Sequence, residues 1–483
     1  MKNIIAVFIT LSFYGCNGQD HNGKNQAQES ASDTIIVYTD EEIHPVRDNF
    51  WGTNLLFWMD DDASLAKNEI EGGLKEIKIK LLRYPGGTVA DNFHWKTNTL
   101  ENTNMFPFED GEAQTDFDEF IQICRNVGAE PSVVVNTESW AVKGDITGGA
   151  HEAANWLRYC KEKGYKVKIW EIGNETYWHP VISAREYAGI VNIYADSLKK
   201  IDPNVIIAVN GHWDINFVGT KERIKKEAYD QLMTYRRNIN SVEDAGKYKA
   251  FRDDNKILPI TTGDKKWWPT LAEYCGHNID MIVVHWYFGA NQLATMSEKL
   301  LGVRELLVNR HPGKSFMMNI SEYNTTKAKN FEDDEHLYLT EAIGQMLHAQ
   351  VDIASFWPMR IKQIGKSRLL DYETNKPSVI AKIHQRLAES LTGALVKSTS
   401  NDEIPSYATA TDTSSTIVLT GRLIKETKNV SVKLEGDNQF GSCHIWRITG
   451  NEFTYQVKEE DILFNNYTSI NISPKEVIIA EFR

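Results

Sequence analysis

Two glutamates draw attention by where they fall in the 483-residue chain. Glu175 closes the run Lys168-Ile169-Trp170-Glu171-Ile172-Gly173-Asn174-Glu175, and Glu322 closes Phe316-Met317-Met318-Asn319-Ile320-Ser321-Glu322. Each run is short, apolar and β-rich, so each carboxylate lies just past the end of a buried strand. Cleavage of a glycosidic bond needs one carboxyl group to protonate the leaving oxygen and another to attack, or to activate water, on the opposite face of the sugar. A gap of roughly 5 to 5.5 Å between the two gives retention of configuration, and a wider gap gives inversion. Like-charge repulsion from an ionised Glu322 would keep a nearby Glu175 protonated for acid duty. A glutamate ending one strand is commonly a solvated residue or a helix cap; two in equivalent positions are harder to set aside.

Other chemistries find less in the chain. The 13 histidines include no His-x-His at a strand end, and Cys124, Cys160, Cys275 and Cys443 are far apart with no Cys-x-x-Cys spacing. Neither a metal site, a disulfide framework nor a cofactor is indicated. A formal net charge of -13 repels phosphate backbones, which argues against a nucleic-acid partner. The basic run from Lys221 to Lys226 is broken by acids and reads as the solvated face of a helix. The 13 Trp and 19 Tyr suit stacking on sugar rings, though they suit a large core equally well.

For the two carboxylates to meet, the strands carrying them must share a sheet. From residue 50 onward short apolar runs alternate with amphipathic stretches, the pattern of repeated βα units. Eight strands are predicted, over 50–58, 80–84, 131–136, 167–172, 205–210, 281–286, 316–320 and 353–357. Val205-Ile206-Ile207-Ala208-Val209 and Met281-Ile282-Val283-Val284 are continuous apolar runs, as parallel strands buried on both faces require. Helices are predicted over 116–127, 152–163 and 184–200. Eight units in one span indicate an α/β fold of the closed (β/α)8 TIM-barrel kind, in which Glu175 and Glu322 would lie at the C-terminal mouth about three strands apart. Beyond residue 390 short strands split by polar turns describe a C-terminal antiparallel β-sandwich. A strand over 34–38, with no partner in a closed barrel, is expected to join that sandwich.

At these residues the chain resembles the clan of retaining (β/α)8-barrel glycoside hydrolases, whose hallmark is Asn-Glu after the fourth strand and Glu after the seventh. Asn174-Glu175 and Glu322 match it. Within the clan the chain is most similar to the α-L-arabinofuranosidases of glycoside hydrolase family 51. The matching residues are Gly52-Thr53-Asn54, Leu82-Arg83-Tyr84-Pro85-Gly86-Gly87, Ala153-Ala154-Asn155-Trp156 through Tyr159-Cys160, and His285-Trp286-Tyr287. The resemblance implies that Glu322 is the nucleophile and Glu175 the acid/base. It implies that Arg83 hydrogen-bonds the nucleophile and that Asn174 contacts the sugar hydroxyl beside the anomeric centre. His285 and Tyr287 would position the carboxylates and the ring, Trp357 would wall the sugar subsite, and Asn54 joins the substrate-binding set. The chain departs from the family at Thr88-Val89-Ala90-Asp91 and in a long segment over 221–268, which leaves xylanase-like or galactanase-like endo action as an alternative. If that segment lines the cleft, Trp267 and Trp268 are candidates for a further sugar-stacking platform. A non-catalytic glycan-binding protein is a third reading, opposed by the retention of both glutamates.

The N-terminus places Lys2 before an apolar stretch, then Phe13-Tyr14-Gly15-Cys16 and a polar run to Ser32. That layout predicts an export signal over 1–15 and a polar tether over 16–33. Cys16 is expected to become the lipidated first residue, anchoring an exported protein to the outer membrane with an oligo- or polysaccharide as its partner. The strand that joins the sandwich would then span 34–48, the catalytic barrel 49–389 and the sandwich 390–483.

Overall fold

The structure, a computed structural model, describes residues 34–57, 69–101, 115–219, 222–239, 241–259, 266–326, 334–360, 367–465 and 467–483. The expected export signal and lipidated cysteine therefore lie outside the described residues.

Eight parallel strands close into a barrel. In order they are Trp51–Asn54, Leu81–Tyr84, Glu130–Val135, Ile169–Ile172, Ile206–Gly211, Met281–Phe288, Met317–Thr325 and Ile353–Phe356. Closure is made by the last strand pairing the first, Ala354 opposite Trp51. Side chains alternate between the two faces of each strand, and one face of this barrel carries Leu81, Ile169, Ala208, Met281, Val283 and Ile353, a small apolar cluster of the interior. The other face packs beneath the surrounding helices in the main core, with Leu82, Trp170, Ile172, Ile282 and Val284. Two residues further along the inward face, Leu81 leads to Arg83 and Ile169 to Glu171, so the barrel fills with apolar side chains below and polar ones above.

Helix boundaries follow local chemistry. Asp116 and Glu119 form a capping box at the start of Phe117–Val127, and Ser183 with Glu186 does the same for Ala184–Lys199. The helix expected over 152–163 begins earlier, at Ile146, because Asp145 caps Gly148 and the two glycines that follow still pack as helix. The sixth and seventh strands run further than their apolar runs predict. His285 to Phe288 pairs with Glu322 to Thr325, and this polar extension carries the site.

The segment over 221–268 contributes a two-stranded ribbon, Glu222–Ile224 with Lys256–Pro259, and the helices Tyr229–Arg237 and Val242–Asp254. Beyond the barrel, a nine-stranded sheet forms from the segment Ala394 to Phe482 together with Thr34–Pro45. All neighbours are antiparallel except Thr34–Pro45 against Lys428–Glu435, which run parallel. Alternation divides its residues: Leu395, Tyr407, Val418 and Ile479 join the barrel core, whereas Val396, Ala408, Ile417 and Ile478 close a second core inside the curled sheet. Among the described residues no helix is long and apolar enough to cross a membrane.

Candidate active site

The site is built around Arg83, which rises from the second strand into the barrel and has no exposed surface. Its Nε and Nη2 donate to the two oxygens of Glu171 at 2.7 and 2.9 Å. Nη1 donates to Glu322 Oε1 at 2.9 Å and to Asn54 Oδ1 at 2.9 Å, and Nη2 also reaches Asn174 Oδ1 at 2.8 Å. Burial opposes the guanidinium charge, but Glu171 and Glu322 outweigh it and hold Arg83 above its ordinary pKa. One planar fork thus orients a carboxylate from the seventh strand and an amide from the loop after the fourth.

Glu322 reaches this position through an irregularity of register. Ile320 stands opposite Val284, yet Glu322 stands opposite His285, so Ser321 is an extra residue on the seventh strand. Val283 belongs to the interior cluster, and strict alternation from its partner Asn319 would turn Ser321 inward and Glu322 out. The bulge re-aims Glu322 into the barrel beside His285. Asn54 Nδ2 donates to the Ser321 carbonyl at 2.9 Å and so holds the bulge itself.

The second oxygen of Glu322 accepts from Tyr287 Oη at 2.6 Å. His285 Nδ1 lies 3.1 Å from Glu175 Oε1 and 3.5 Å from Glu322 Oε2, bridging the two carboxylates. Burial works against a charged imidazole, but Glu322 and Glu175 more than compensate and raise its pKa. Burial, and then the charge of Glu322, pushes the Tyr287 phenol well above its usual range. Donor atoms of Glu175, His285 and Glu322 all lie within 4.8 Å of one another, so the two carboxylates face each other at the short separation associated with retention.

Glu175 itself adopts φ +45, a left-handed conformation costly for a residue with a side chain. The turn around it is braced by Asn210, at the end of the fifth strand, which accepts from Thr176 N at 2.9 Å and donates through Nδ2 to the Ile172 and Gly173 carbonyls, both at 2.9 Å. Trp357 lies across the Gly86-Gly87 turn after the second strand. Gly87 has φ +60, and a Cβ there would come within 2.6 Å of the indole, so only glycine admits the ring.

The expected residues thus fall into three groups. Glu175, Glu322, Asn174, His285, Tyr287 and Trp357 gather at the mouth. Arg83 and Asn54 do not belong among groups that touch a ligand: both are fully buried and their hydrogen bonds go to protein. They act behind the carboxylates. Trp268 is a correction, as is Trp267. Both are fully buried, donating from Nε1 to the His212 and Asn210 carbonyls at 2.6 and 3.1 Å, because Gly211 lets their rings seat against the fifth strand. Neither offers a face for stacking. The exposed indole near the site is instead Trp178, 45% exposed and edge-on to His212 and Phe217.

Sequence reading also missed Glu171, Asn210 and a buried trio of Asp91, Glu138 and His179. Glu171 had a signal, a lone carboxylate two positions from Ile169 on the inward face of an apolar strand. The others come from loops whose meeting no spacing foretells. Among the described residues, the two groups able to offer three metal ligands are this trio and Glu175, His285 and Glu322. Each is knitted by direct nitrogen–oxygen contacts that an ion would have to displace.

The family described as the alpha-L-arabinofuranosidase 1 domain matches residues 73–254. Alpha-L-arabinofuranosidase C of Emericella nidulans is 28% identical over 178 residues, covering 32% of this chain and 34% of that protein. The intracellular exo-alpha-L-arabinofuranosidase of Bacteroides ovatus is 23% identical over 304 residues, covering 54% and 47%. The chain therefore spans between a third and a half of the length of these curated relatives. In three dimensions it follows the alpha-L-arabinofuranosidase of Thermotoga maritima over 93% of this chain and 99% of that one, with a TM-score of 0.67 at 18% identity. The chain thus shares the closed (β/α)8-barrel fold of that arabinofuranosidase structure, and residues 73–254 carry the match to the arabinofuranosidase 1 domain.

Proposed function

We propose that this protein hydrolyses α-L-arabinofuranosyl bonds of plant or algal polysaccharides by double displacement with retention, Glu322 serving as nucleophile and Glu175 as acid/base. The observation that carries the reading is the pair of carboxylates approaching within 4.8 Å at the barrel mouth, one of them gripped on both oxygens. Arg83 and Tyr287 grip both oxygens of Glu322 and aim it. Glu175 gives its proton to the departing oxygen while Glu322 forms the glycosyl ester. The Glu175 carboxylate then takes a proton from the water that opens that ester. His285, with Nδ1 3.1 Å from Glu175 and 3.5 Å from Glu322, positions the two carboxyl groups against each other. Asn174, its Oδ1 taken by Arg83, keeps its amide hydrogens for a sugar hydroxyl, and Trp357 supplies an apolar wall for the ring.

The test separates the two glutamates. Glu175→Ala should nearly fail on arabinofuranosides with poor leaving groups yet still be glycosylated by activated aryl glycosides, with azide accelerating turnover because it attacks the intermediate without a base. Glu322→Ala should be inactive on all of them. General acid–base help is worth typically 10²–10⁴-fold, so the contrast is readily measured. Azide rescue of Glu322→Ala with inverted product, and none of Glu175→Ala, would exchange the roles. The proposed lipid anchor at Cys16 and export to the outer membrane rest on sequence alone; a shift of Cys16→Ala from the membrane to the soluble fraction supports them.

A further inference from the structure

Three neighbouring βα loops each send one ionisable side chain to a point behind the catalytic turn. Asp91 comes from the turn Gly87–Asn92 after the second strand, Glu138 from the short helix Glu138–Lys143 after the third, and His179 from the segment just past Thr176–Trp178 after the fourth. All three are buried, none more than 1% exposed. His179 Nδ1 contacts Glu138 Oε2 directly, and His179 Nε2 lies 3.1 Å from Asp91 Oδ2 and 2.9 Å from the Asn174 carbonyl. Asp91 Oδ1 accepts from the Asn174 backbone N–H at 2.9 Å. The trio therefore holds both the N–H and the C=O of Asn174, the residue immediately before strained Glu175. Two acceptors at Nε2 require a hydrogen there, and the Glu138 carboxylate beside Nδ1 favours a second proton and with it a positive charge. Burial disfavours that charge, but Glu138 and Asp91 outweigh it and keep His179 protonated to about 10.

Three buried ionic groups are a costly way to join loops that apolar packing could join. Their contacts converge on one residue, Asn174, and hold the peptides on either side of it, the second of which leads into Glu175. Asn210 braces the other side of the same turn, so the left-handed residue is clamped from both flanks. We infer that Asp91, His179 and Glu138 are positioning residues that fix the Asn174–Glu175 turn in the geometry needed for proton donation to the leaving group. The assignment rests on the glycosidase reading above and deepens it.

Asp91→Asn, His179→Gln and the near-isosteric Glu138→Gln test it in the full chain, against an activated nitrophenyl and an unactivated alkyl α-L-arabinofuranoside. Misplacing a catalytic group by about 1 Å costs on the order of 10²-fold. Asp91→Asn and His179→Gln should therefore lose about 10²-fold in kcat on the alkyl substrate, with KM little changed. They should lose less than about 5-fold in kcat/KM on the nitrophenyl substrate, whose glycosylation step needs little acid help. Glu138→Gln should shift the same ratio in the same direction by a smaller factor, and thermal unfolding checks that each variant is folded. Should Asp91→Asn or His179→Gln fail to fold, Glu138→Gln alone decides. Equal loss in kcat/KM on both substrates, or a lowered Tm with the ratio of kcat/KM values unchanged, overturns the positioning role and leaves the glycosidase reading standing. A wild-type chain that cleaves neither substrate, with Glu322→Ala indistinguishable from it, overturns both.

Discussion

Residue by residue, the site is a balance of buried charge. Arg83 pairs with Glu171 and Glu322, and His285 bridges Glu175 and Glu322. Behind it, His179 carries the sign of its stability effect in its own titration. Its pKa is raised from 6.5 to about 10, so the folded state holds the proton more tightly than the unfolded chain. The stabilisation is complete below 6.5 and is lost as pH rises through about 10. Asp91 runs in the same sense lower down: burial lifts it from 3.8 to about 6 against the pull of His179, so ionising it withdraws stability as pH climbs through that range. The wild-type Tm should accordingly fall between pH 7 and 10 more steeply than that of His179→Gln. Parallel Tm–pH curves for the two proteins would contradict this account.

At the scale of elements, turns and bulges do more than strands to place the chemistry. The double glycine after the second strand gives the chain a left-handed turn over which Trp357 can lie, and the Ser321 bulge turns Glu322 inward. Gly87→Ala adds a Cβ 2.6 Å from the indole in a backbone conformation that resists any side chain. The expected cost is about 1–3 kcal/mol of stability together with displacement of Trp357. Urea unfolding should register the first, and a raised KM with a changed tryptophan fluorescence on ligand addition the second. An unaltered KM would mean that Trp357 does not wall the sugar subsite.

Across the whole molecule, the curled sheet is fastened to the barrel by apolar packing and by polar contacts that include a clasp on Glu341. Arg422, in the turn after the strand Ser415–Thr420, donates from Nε and Nη2 to both oxygens of Glu341, on the barrel helix Glu335–His348, each at 2.7 Å, and Thr420 Oγ1 adds a third bond at 2.6 Å. Nearby, Gly344 lets Tyr407 lie directly on that helix. Arg422→Ala leaves Glu341 buried with half its partners. It should destabilise by about 1–3 kcal/mol, read as a lowered Tm, while kcat on small aryl glycosides stays near wild type because the clasp lies apart from the carboxylates. A proportionate fall in kcat would instead tie the sheet to the site.

How much of this was legible beforehand depends on whether the physics is local. Continuous apolar runs such as Val205 to Val209 announce buried parallel strands because burial on both faces leaves no polar position. Asn174-Glu175 and Glu322 announce themselves because they end such runs. The barrel and its two glutamates were therefore within reach of the sequence. The length of the seventh strand was not, since Ser321 to Thr325 is polar and is strand only through pairing with the sixth. Trp267 and Trp268 misled because an indole reads the same whether it faces a cleft or a glycine, and only packing against Gly211 buried them. Asp91, Glu138 and His179 are separated by 47 and 41 residues and share no periodicity. The pairing of the second, third and fourth strands, which brings their three loops to one residue, is what made them a unit.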